Sequence, residues 1–183
     1  LSLRYRDFDD LIDYCRLSAM PVGRYVLDVH GESRETWAAS DKLCAALQII
    51  NHLQDCGEDY RALDRVYIPA DALSARGASV DMLGEPKSPA PLRATIVDLA
   101  RRTQELLRQS AVFPSQVRDL RLAMNVGAIQ KLAERLTEKL LTHDPLSQET
   151  HASKGAFAAT ALVAAVSVAL RRLPFFPALA PQQ

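Results

Sequence analysis

Apolar residues recur three and four positions apart through almost every segment of this 183-residue chain. That spacing gathers them on one face of an α-helix, which turns once in about 3.6 residues. The chain has only 7 glycines, and no two-residue hairpin signal interrupts the pattern. The pattern therefore predicts an all-α fold, and the length fits a single domain over residues 1–183.

Two helices are expected in the first third of the chain. Asp7 has the short oxygen-bearing side chain of an N-cap, so the first helix should begin just after it. Pro21 and Gly23 should kink or break this helix, because proline lacks the N–H group that continues it. Ser33 then opens a second helix, which is predicted to run to about Tyr60.

The middle of the chain is predicted to contain a connector and a short helix. The segment DRVYIP, residues 64–69, is short, contains β-branched residues and ends in proline, so it should be extended. A small helix over residues 70–76 should end at Gly77. A loop with one glycine and three prolines follows, at Gly84, Pro86, Pro89 and Pro91.

Two long amphipathic helices are predicted over residues 92–112 and 115–141, with Pro114 between them. The buried stripe of the second is expected at Leu120, Met124, Leu132, Leu136 and Leu140. A last apolar segment, residues 156–170, has about 15 residues where a bilayer span needs about 20. It is interpreted as a core helix, with a helix that docks on a membrane surface as the alternative.

Composition and charge exclude several classes of protein. Acidic and basic residues number 22 each, and the basic residues are scattered, so no electrostatic footprint for nucleic acid exists. The cysteines, Cys15, Cys44 and Cys56, contain no CxxC pair, which is typical of free thiols in a reducing compartment such as the cytoplasm. Nothing in the sequence specifies an oligomeric state.

The second predicted helix carries a polar stripe among apolar residues. The stripe consists of Gln48, Asn51, His52, Asp55 and Asp59. An α-helix turns by about 100° per residue, so these five side chains point into one arc that is about 100° wide. The opposite side is apolar, with Leu43, Ala46, Ile50 and Leu53. A solvated face is the simplest interpretation, but such faces are usually built from Lys, Glu and Arg of alternating sign.

Asp55 and Asp59 stand four residues apart, so their charges repel by roughly a few tenths of a kcal/mol in an isolated helix. Oxygen ligands about 6 Å apart suit a hard divalent cation. Mg²⁺ takes about one or two carboxylates and leaves its other positions to water or substrate phosphates. One hypothesis is therefore that the stripe faces a cavity with metal-bound phosphate.

The sequence around the acid pair resembles the second aspartate motif of the squalene and phytoene synthases. The residues in register with that motif are Gln48, Asn51, Asp55, Asp59, Arg65, Tyr67 and Pro69. Upstream, YCRLSAMPVGRYVL is similar to the family's Tyr-Cys helix, through Tyr14, Cys15, Ala19, Val22 and Gly23. Residues 18–24, the pair Gln54-Asp55 and residues 144–146 resemble the bacterial hydroxysqualene synthase branch of hopanoid biosynthesis.

The resemblance implies an isoprenoid-synthase helical bundle that binds a prenyl diphosphate through Mg²⁺. It implies joining of farnesyl diphosphate to squalene, or conversion of presqualene diphosphate to hydroxysqualene. The implied catalytic residues are Asp55, Asp59 and Tyr14, of which the two aspartates are the metal ligands. The implied substrate-binding residues are Gln48, Asn51, Ala19, Gly23, Arg65 and Tyr67.

The family's first aspartate motif lies far upstream of the second, and this sequence has no equivalent segment. Asp9 and Asp13 imitate the spacing but are interpreted as helix-capping and surface residues. The chain is therefore expected to hold the C-terminal two-thirds of the fold and to be inactive alone. The water or hydride that ends the reaction and the substrate's chain length stay open.

Alternative functions are a phytoene synthase-like enzyme, a non-catalytic relative that acts as an assembly scaffold, and a plain helical interaction module. Cys44 and Cys56 are interpreted as structural, because no base accompanies them, and His143 and His151 as surface residues. Tyr14 is either a core tyrosine with a satisfied hydroxyl or a cavity residue. Gln148 and Glu149 stand where many relatives carry Arg, which counts against a phosphate contact there.

Overall fold

The computed structural model describes residues 4–150, and every regular element within them is helical. The α-helices in this range are α1 (Phe8–Ser18), α2 (Met20–Val29), α3 (Trp37–Leu63), α4 (Ala70–Ala75), α5 (Ala90–Ser110), α6 (Phe113–Gln116) and α7 (Leu120–Thr142). Short 3₁₀ turns, Arg34–Thr36 and Val80–Gly84, precede α3 and α5. The described part of the chain thus confirms the all-α prediction.

Near the N-terminal end of the chain, the helices begin and end close to the predicted capping and helix-breaking residues. The Asp7 side chain accepts a hydrogen bond of 2.8 Å from the Asp10 N–H and so caps α1. The break falls at Ala19, and Pro21 lies in the first turn of α2, where its missing N–H removes no helical hydrogen bond. Gly23 lies inside α2 rather than at the break.

The longest helix, α3, is the centre of the described structure. Ser33 caps the 3₁₀ turn that leads into it, as predicted, and the helix runs past Tyr60 to Leu63. Helices α1, α2, α5 and α7 all pack against α3. Its predicted apolar side, Leu43, Ala46, Ile50 and Leu53, is buried. Burial of each large apolar side chain contributes about 1.5–3 kcal/mol, so this contact surface dominates the core.

A left-handed residue ends α3. Asp64 has φ 51° and ψ 39°, and its N–H group bonds to the last carbonyls of the helix. Aspartate tolerates this conformation better than most residues. The chain then continues without regular structure to Pro69 and enters α4, which ends before Gly77 at φ +65°, as predicted. The connector therefore leaves α3 in a fixed direction.

The helix predicted over residues 115–141 in fact begins at Leu120. Pro114 lies in the first turn of the short α6, and an extended residue, Val117, separates the two helices. The Asp119 side chain caps α7 by accepting a hydrogen bond of 2.7 Å from the Leu122 N–H group. The buried Glu32 carboxylate accepts the N–H groups of residues 118 and 119 at 2.8 and 2.7 Å. A long-range contact therefore sets this helix start.

The predicted buried stripe of α7 is wrong in part. Leu120 is 45% exposed, whereas Leu140 is fully buried, and Met124, Leu132 and Leu136 are half-buried. The face that enters the core is Leu122, Ala123, Val126, Gly127, Gln130, Ala133, Thr137 and Leu140. Small side chains let α7 approach closely, and Gln130 is tolerated there because Ser110 donates to it at 2.8 Å.

An apolar stripe on α2 stays exposed among the described residues. Val22, Tyr25, Val26 and Val29 recur three and four apart on that helix. Within residues 4–150, no helix is both long and apolar enough to span a bilayer. The apolar segment 156–170 lies outside the described residues, so the choice between core helix and membrane-surface helix stays a prediction.

The contact between α2 and α3 gives a test of packing at Gly23. A Cβ atom there would lie 2.5 Å from Cys44 Sγ and 2.8 Å from Ser40 Oγ, far inside van der Waals contact. We expect Gly23→Ala to lower the free energy of unfolding by about 1–3 kcal/mol, because the Cys44 and Ser40 side chains must leave their packed positions or the two helices must separate. Urea unfolding followed by circular dichroism measures this change.

Gly84→Ala is the matched control, because its Cβ would lie 3.4 Å from the Tyr60 ring, an ordinary contact. This variant should change the free energy of unfolding by less than about 0.5 kcal/mol. Equal stability of the two variants would contradict the close approach of α2 and α3.

Candidate active site

The predicted polar stripe lies on α3, but its members differ in burial. His52 is buried, Gln48, Asp55 and Asp59 are half-buried, and Asn51 is exposed. A solvated face would leave all five side chains in water. Partial or full burial of four of the five side chains therefore counts against a fully solvated face.

Asp55 and Asp59 lie one turn apart on α3, and both are half-buried. Partial burial strengthens their mutual repulsion, since the effective dielectric constant falls away from bulk water. The Asp59 carboxylate accepts a hydrogen bond from the Tyr67 hydroxyl. Such a bond from a neutral donor stabilises the carboxylate and orients it.

Tyr67 reaches Asp59 because the chain turns back after α3. The left-handed Asp64 directs residues 65–69 away from the helix axis, and Tyr67 is buried against α3. Burial and the hydrogen bond to Asp59 raise the pKa of Tyr67, while the nearby Arg65 guanidinium opposes the rise. Arg65 itself is exposed, and its interaction with Tyr67 raises the pKa of the Arg65 guanidinium. The hydroxyl therefore stays protonated and can donate to Asp59.

Aromatic rings form a row beside the acid pair. The ring centroids of Tyr5 and Tyr14 lie 5.6 Å apart, and those of Tyr14 and His52 lie 5.7 Å apart. His52 stacks on Tyr67 at 3.7 Å with an interplanar angle of 6°. Burial lowers the pKa of His52 to about 4, and Asp59 only partly opposes this. His52 is therefore neutral at physiological pH.

The sequence left two interpretations of Tyr14. Its side chain is half-buried, and its ring touches the row next to His52. It thus lies on the same side of the bundle as the polar stripe, without being enclosed in the core. Its catalytic role stays a prediction.

A sequence profile of the squalene/phytoene synthase family matches residues 1–156. The chain belongs to this family. It is 52% identical over 162 residues to the hydroxysqualene synthase of Zymomonas mobilis, a match that covers 88% of this chain and 54% of that protein. It is 51% identical to the hydroxysqualene synthase of Rhodopseudomonas palustris, with coverage of 93% and 58%.

A phytoene synthase of Thermus thermophilus is more distant, at 31% identity over 142 residues, with coverage of 78% of this chain and 49% of that protein. The crystal structure of a squalene synthase from Alicyclobacillus acidocaldarius superposes with a TM-score of 0.70 at 35% identity, over 75% of this chain and 52% of that one. A dehydrosqualene synthase structure has a TM-score of 0.74 at 21% identity, over 91% and 59%, and supports the fold alone. The chain spans about half the length of the curated relatives it matches.

Family membership confirms the resemblance, whereas the roles of single residues stay predictions. Ala19 lies at the break between α1 and α2, and Gly23 packs against α3. The structure thus gives Gly23 a packing role. A substrate contact of either residue remains to be tested.

The segment that begins at Asp144, whose sequence resembles the hydroxysqualene synthase branch, also supports the site. Asp144 is buried and accepts hydrogen bonds from the Ser88 hydroxyl at 2.5 Å and the Ser88 N–H at 2.9 Å. Burial alone would raise the pKa of Asp144, but these bonds and others from Ser147 and Leu146 lower it overall. The sequence signal that could have identified this residue is an Asx turn. In such a turn an aspartate accepts hydrogen bonds from residues two and three positions later, here Leu146 and Ser147.

The segment that Asp144 anchors packs on α3 beside the acid pair. Leu146 lies so close to Gly57 that a Cβ there would be 3.1 Å from Leu146 Cγ. Gln54, next to Asp55 in the sequence, is buried and donates to the Thr150 carbonyl at 2.7 Å. Sequence reasoning noted Gln54 and residues 144–146 separately, but only the fold brings them together.

The remaining candidates behave as structural or surface residues. All three cysteines are free, and burial raises the pKa of Cys15 and Cys56 to about 12, so neither is a thiolate at neutral pH. Burial also raises the pKa of Cys44. His143, Gln148 and Glu149 are exposed, and His151 lies outside the described residues. Asp9 and Asp13 are exposed, and Asp13 pairs with Arg16 at 2.7 Å.

The acid pair fits part of a magnesium shell. Residues 4–150 contain no cluster of three or more His, Cys, Asp or Glu side chains that could enclose a metal. Mg²⁺, however, is commonly held by about one or two carboxylates while phosphates and water complete its octahedron. Asp55 and Asp59 offer oxygen ligands of this kind, so the donor set suits a metal that arrives with a diphosphate.

The depressed pKa of His52 predicts a loss of stability in acid. In the unfolded chain histidine gains a proton below about pH 6.5, whereas in the folded protein His52 resists protonation until about pH 4. The folded state should therefore lose up to about 3 kcal/mol as the pH falls between these values. Urea unfolding at a series of pH values measures this slope.

His52→Phe should flatten the slope between pH 6.5 and 4, because it removes the titrating group and keeps an aromatic ring. His30→Phe, at an exposed position, is the control for the effect of replacing a histidine by phenylalanine elsewhere in the chain. The same slope in the wild type and in His52→Phe would contradict the burial of a neutral His52.

Proposed function

We propose that this chain contributes the diphosphate-binding half of a hydroxysqualene synthase, which converts presqualene diphosphate to hydroxysqualene. The observation that carries this proposal is the half-buried acid pair, Asp55 and Asp59, on α3 beside a row of aromatic rings. Identities of 51–52% to three hydroxysqualene synthases, against 31% to a bacterial phytoene synthase, support the choice of substrate.

In this function Asp55 and Asp59 hold magnesium. The ion, when bound, supplies positive charge that stabilises the departing diphosphate. The Tyr67 hydroxyl holds the Asp59 carboxylate in place, so that carboxylate need not reorganise when the metal and diphosphate arrive.

Gln48 and Asn51 face the diphosphate from the preceding turns of α3. A glutamine amide carries two N–H donors, and one Gln48 donor is engaged by His52 at 3.2 Å, which leaves the second for a phosphate oxygen. Arg65 is exposed at the end of the site and adds a permanent positive charge. Departure of diphosphate leaves a carbocation next to the cyclopropane ring of presqualene. Rearrangement and cleavage of that ring move the positive charge, and addition of water with loss of a proton then gives the open-chain alcohol.

Product analysis tests the reaction. The protein is incubated with Mg²⁺ and presqualene, farnesyl or geranylgeranyl diphosphate, and the extracted products are identified by mass spectrometry. We expect hydroxysqualene from presqualene diphosphate. A C40 product from geranylgeranyl diphosphate alone would instead indicate a phytoene synthase-like enzyme.

The assay is run with the chain alone and with the chain joined to the part of the Zymomonas mobilis relative that the match leaves uncovered. Activity of the joined protein and inactivity of the chain alone would support the half-site. Absence of all products from a folded joined protein would overturn the proposed function.

Asp55→Asn tests the metal role directly. The change removes one negative charge and preserves the side-chain volume, so turnover of the joined protein should fall on the order of a hundredfold or more. Stability should change little, because the asparagine keeps the volume of the side chain and one carbonyl oxygen. Initial rates and thermal unfolding measure both effects.

Asp13→Asn is the matched control, since Asp13 is exposed and far in sequence from the stripe. Its rate should equal that of the wild type. Undiminished product formation by Asp55→Asn would refute the metal role of Asp55.

A further inference from the structure

His52 is the one member of the polar stripe that is buried. Only 7% of the residue is exposed, although it lies on the same face of α3 as the half-buried acid pair. A buried polar ring is costly unless its nitrogens find partners. The contacts of His52 therefore show what its ring is used for.

The first contact is with Gln48. The Gln48 Nε2 atom lies 3.2 Å from His52 Nε2. An amide nitrogen can only donate, so His52 Nε2 must accept with its lone pair, and the imidazole must be neutral. The low pKa that burial imposes is consistent with this state. The contact fixes the amide group of a residue that the proposed function places against diphosphate.

The second contact is with Tyr67. The two rings are nearly parallel, with centroids 3.7 Å apart, and Tyr67 in turn donates to the Asp59 carboxylate. Tyr67 belongs to the connector after α3, which has no helical hydrogen bonds of its own to hold it. The ring of His52 is thus the surface of α3 on which the Tyr67 ring rests.

We propose that His52 is a positioning residue. It sets the orientation of two side chains that bind ligand in the proposed function: Gln48 directly and Asp59 through Tyr67. Its ring face fixes Tyr67, which holds Asp59, and its Nε2 atom fixes Gln48. The purpose assigned to these side chains rests on the proposed function, whereas the contacts themselves do not depend on a ligand.

Substitution separates the two contacts. Phenylalanine at position 52 can still stack on Tyr67, but it cannot accept the Gln48 hydrogen bond. Leucine at position 52 offers neither contact. Tyr67→Phe keeps the stack and loses only the hydrogen bond to Asp59. If His52 only filled space in the core, the effects of these three substitutions would not follow the contacts that each one keeps or loses.

The contacts are first tested without metal, by nuclear magnetic resonance of the full chain in a chelating buffer. The Asp59 carboxyl carbon is assigned by its loss in Asp59→Asn. Tyr67→Phe and His52→Leu should both displace this signal, whereas His52→Phe should leave it near the wild-type position. His52→Phe should instead displace the side-chain amide signal of Gln48.

Exposed residues give the matched controls. Tyr25→Phe and His30→Phe should leave both signals unchanged. Should His52→Leu fail to fold, His52→Phe decides alone. An unchanged Gln48 amide, or an Asp59 signal displaced as far as in Tyr67→Phe, would overturn the positioning role.

Ligand binding is tested with Mg²⁺ and inorganic pyrophosphate as the probe, by titration calorimetry. His52→Phe should weaken pyrophosphate binding about fivefold, as expected for one misplaced hydrogen-bonding group, and His52→Leu should weaken it further. Wild-type affinity in a folded His52→Phe protein would overturn the positioning role. If the wild type itself shows no magnesium-dependent binding, the proposed function fails, and the resonance signals of Asp59 and Gln48 still decide the role of His52.

Discussion

The described structure depends on the packing of a single long helix, α3. Helices α1, α2, α5 and α7 all lie against it, and nearly half of its residues are buried. A helix surrounded in this way has little freedom to shift or rotate, because protein interiors are close-packed. Side chains of the polar stripe are therefore held at fixed positions, as the proposed binding of a metal and a diphosphate requires.

The polar face of α3 carries an electrostatic cost that its neighbours reduce. Two half-buried carboxylates one turn apart repel each other more strongly than they would in water. Asp59 is stabilised by Tyr67, which returns to the helix only because Asp64 adopts a left-handed conformation. The turn after α3 is thus part of the site, although none of its backbone groups needs to touch a ligand.

A second support comes from the segment after α7. Asp144 ties this segment to Ser88, ahead of α5, and Leu146 and Thr150 then contact α3 at Gly57 and Gln54. The acid pair therefore lies on a helix that is braced by two irregular segments, both of which follow it in the sequence. The likeness to hydroxysqualene synthases covers both segments, since the matches extend over 82–93% of the chain.

The sequence by itself determined the helical class, the caps at Asp7 and Ser33 and the membership of the acid pair in one face, because these depend on local periodicity and short-range hydrogen bonds. It also contained the family resemblance, because the spacing of motif residues along the chain can be compared without knowledge of the fold. Only the tertiary structure decided that His52 is buried and stacked on Tyr67, that α7 starts at Leu120 because Glu32 accepts the two preceding N–H groups, and which face of α7 is buried. Each of these depends on partners beyond the reach of one helical turn or on how closely two helices approach. Hydrophobic periodicity contains no information about either.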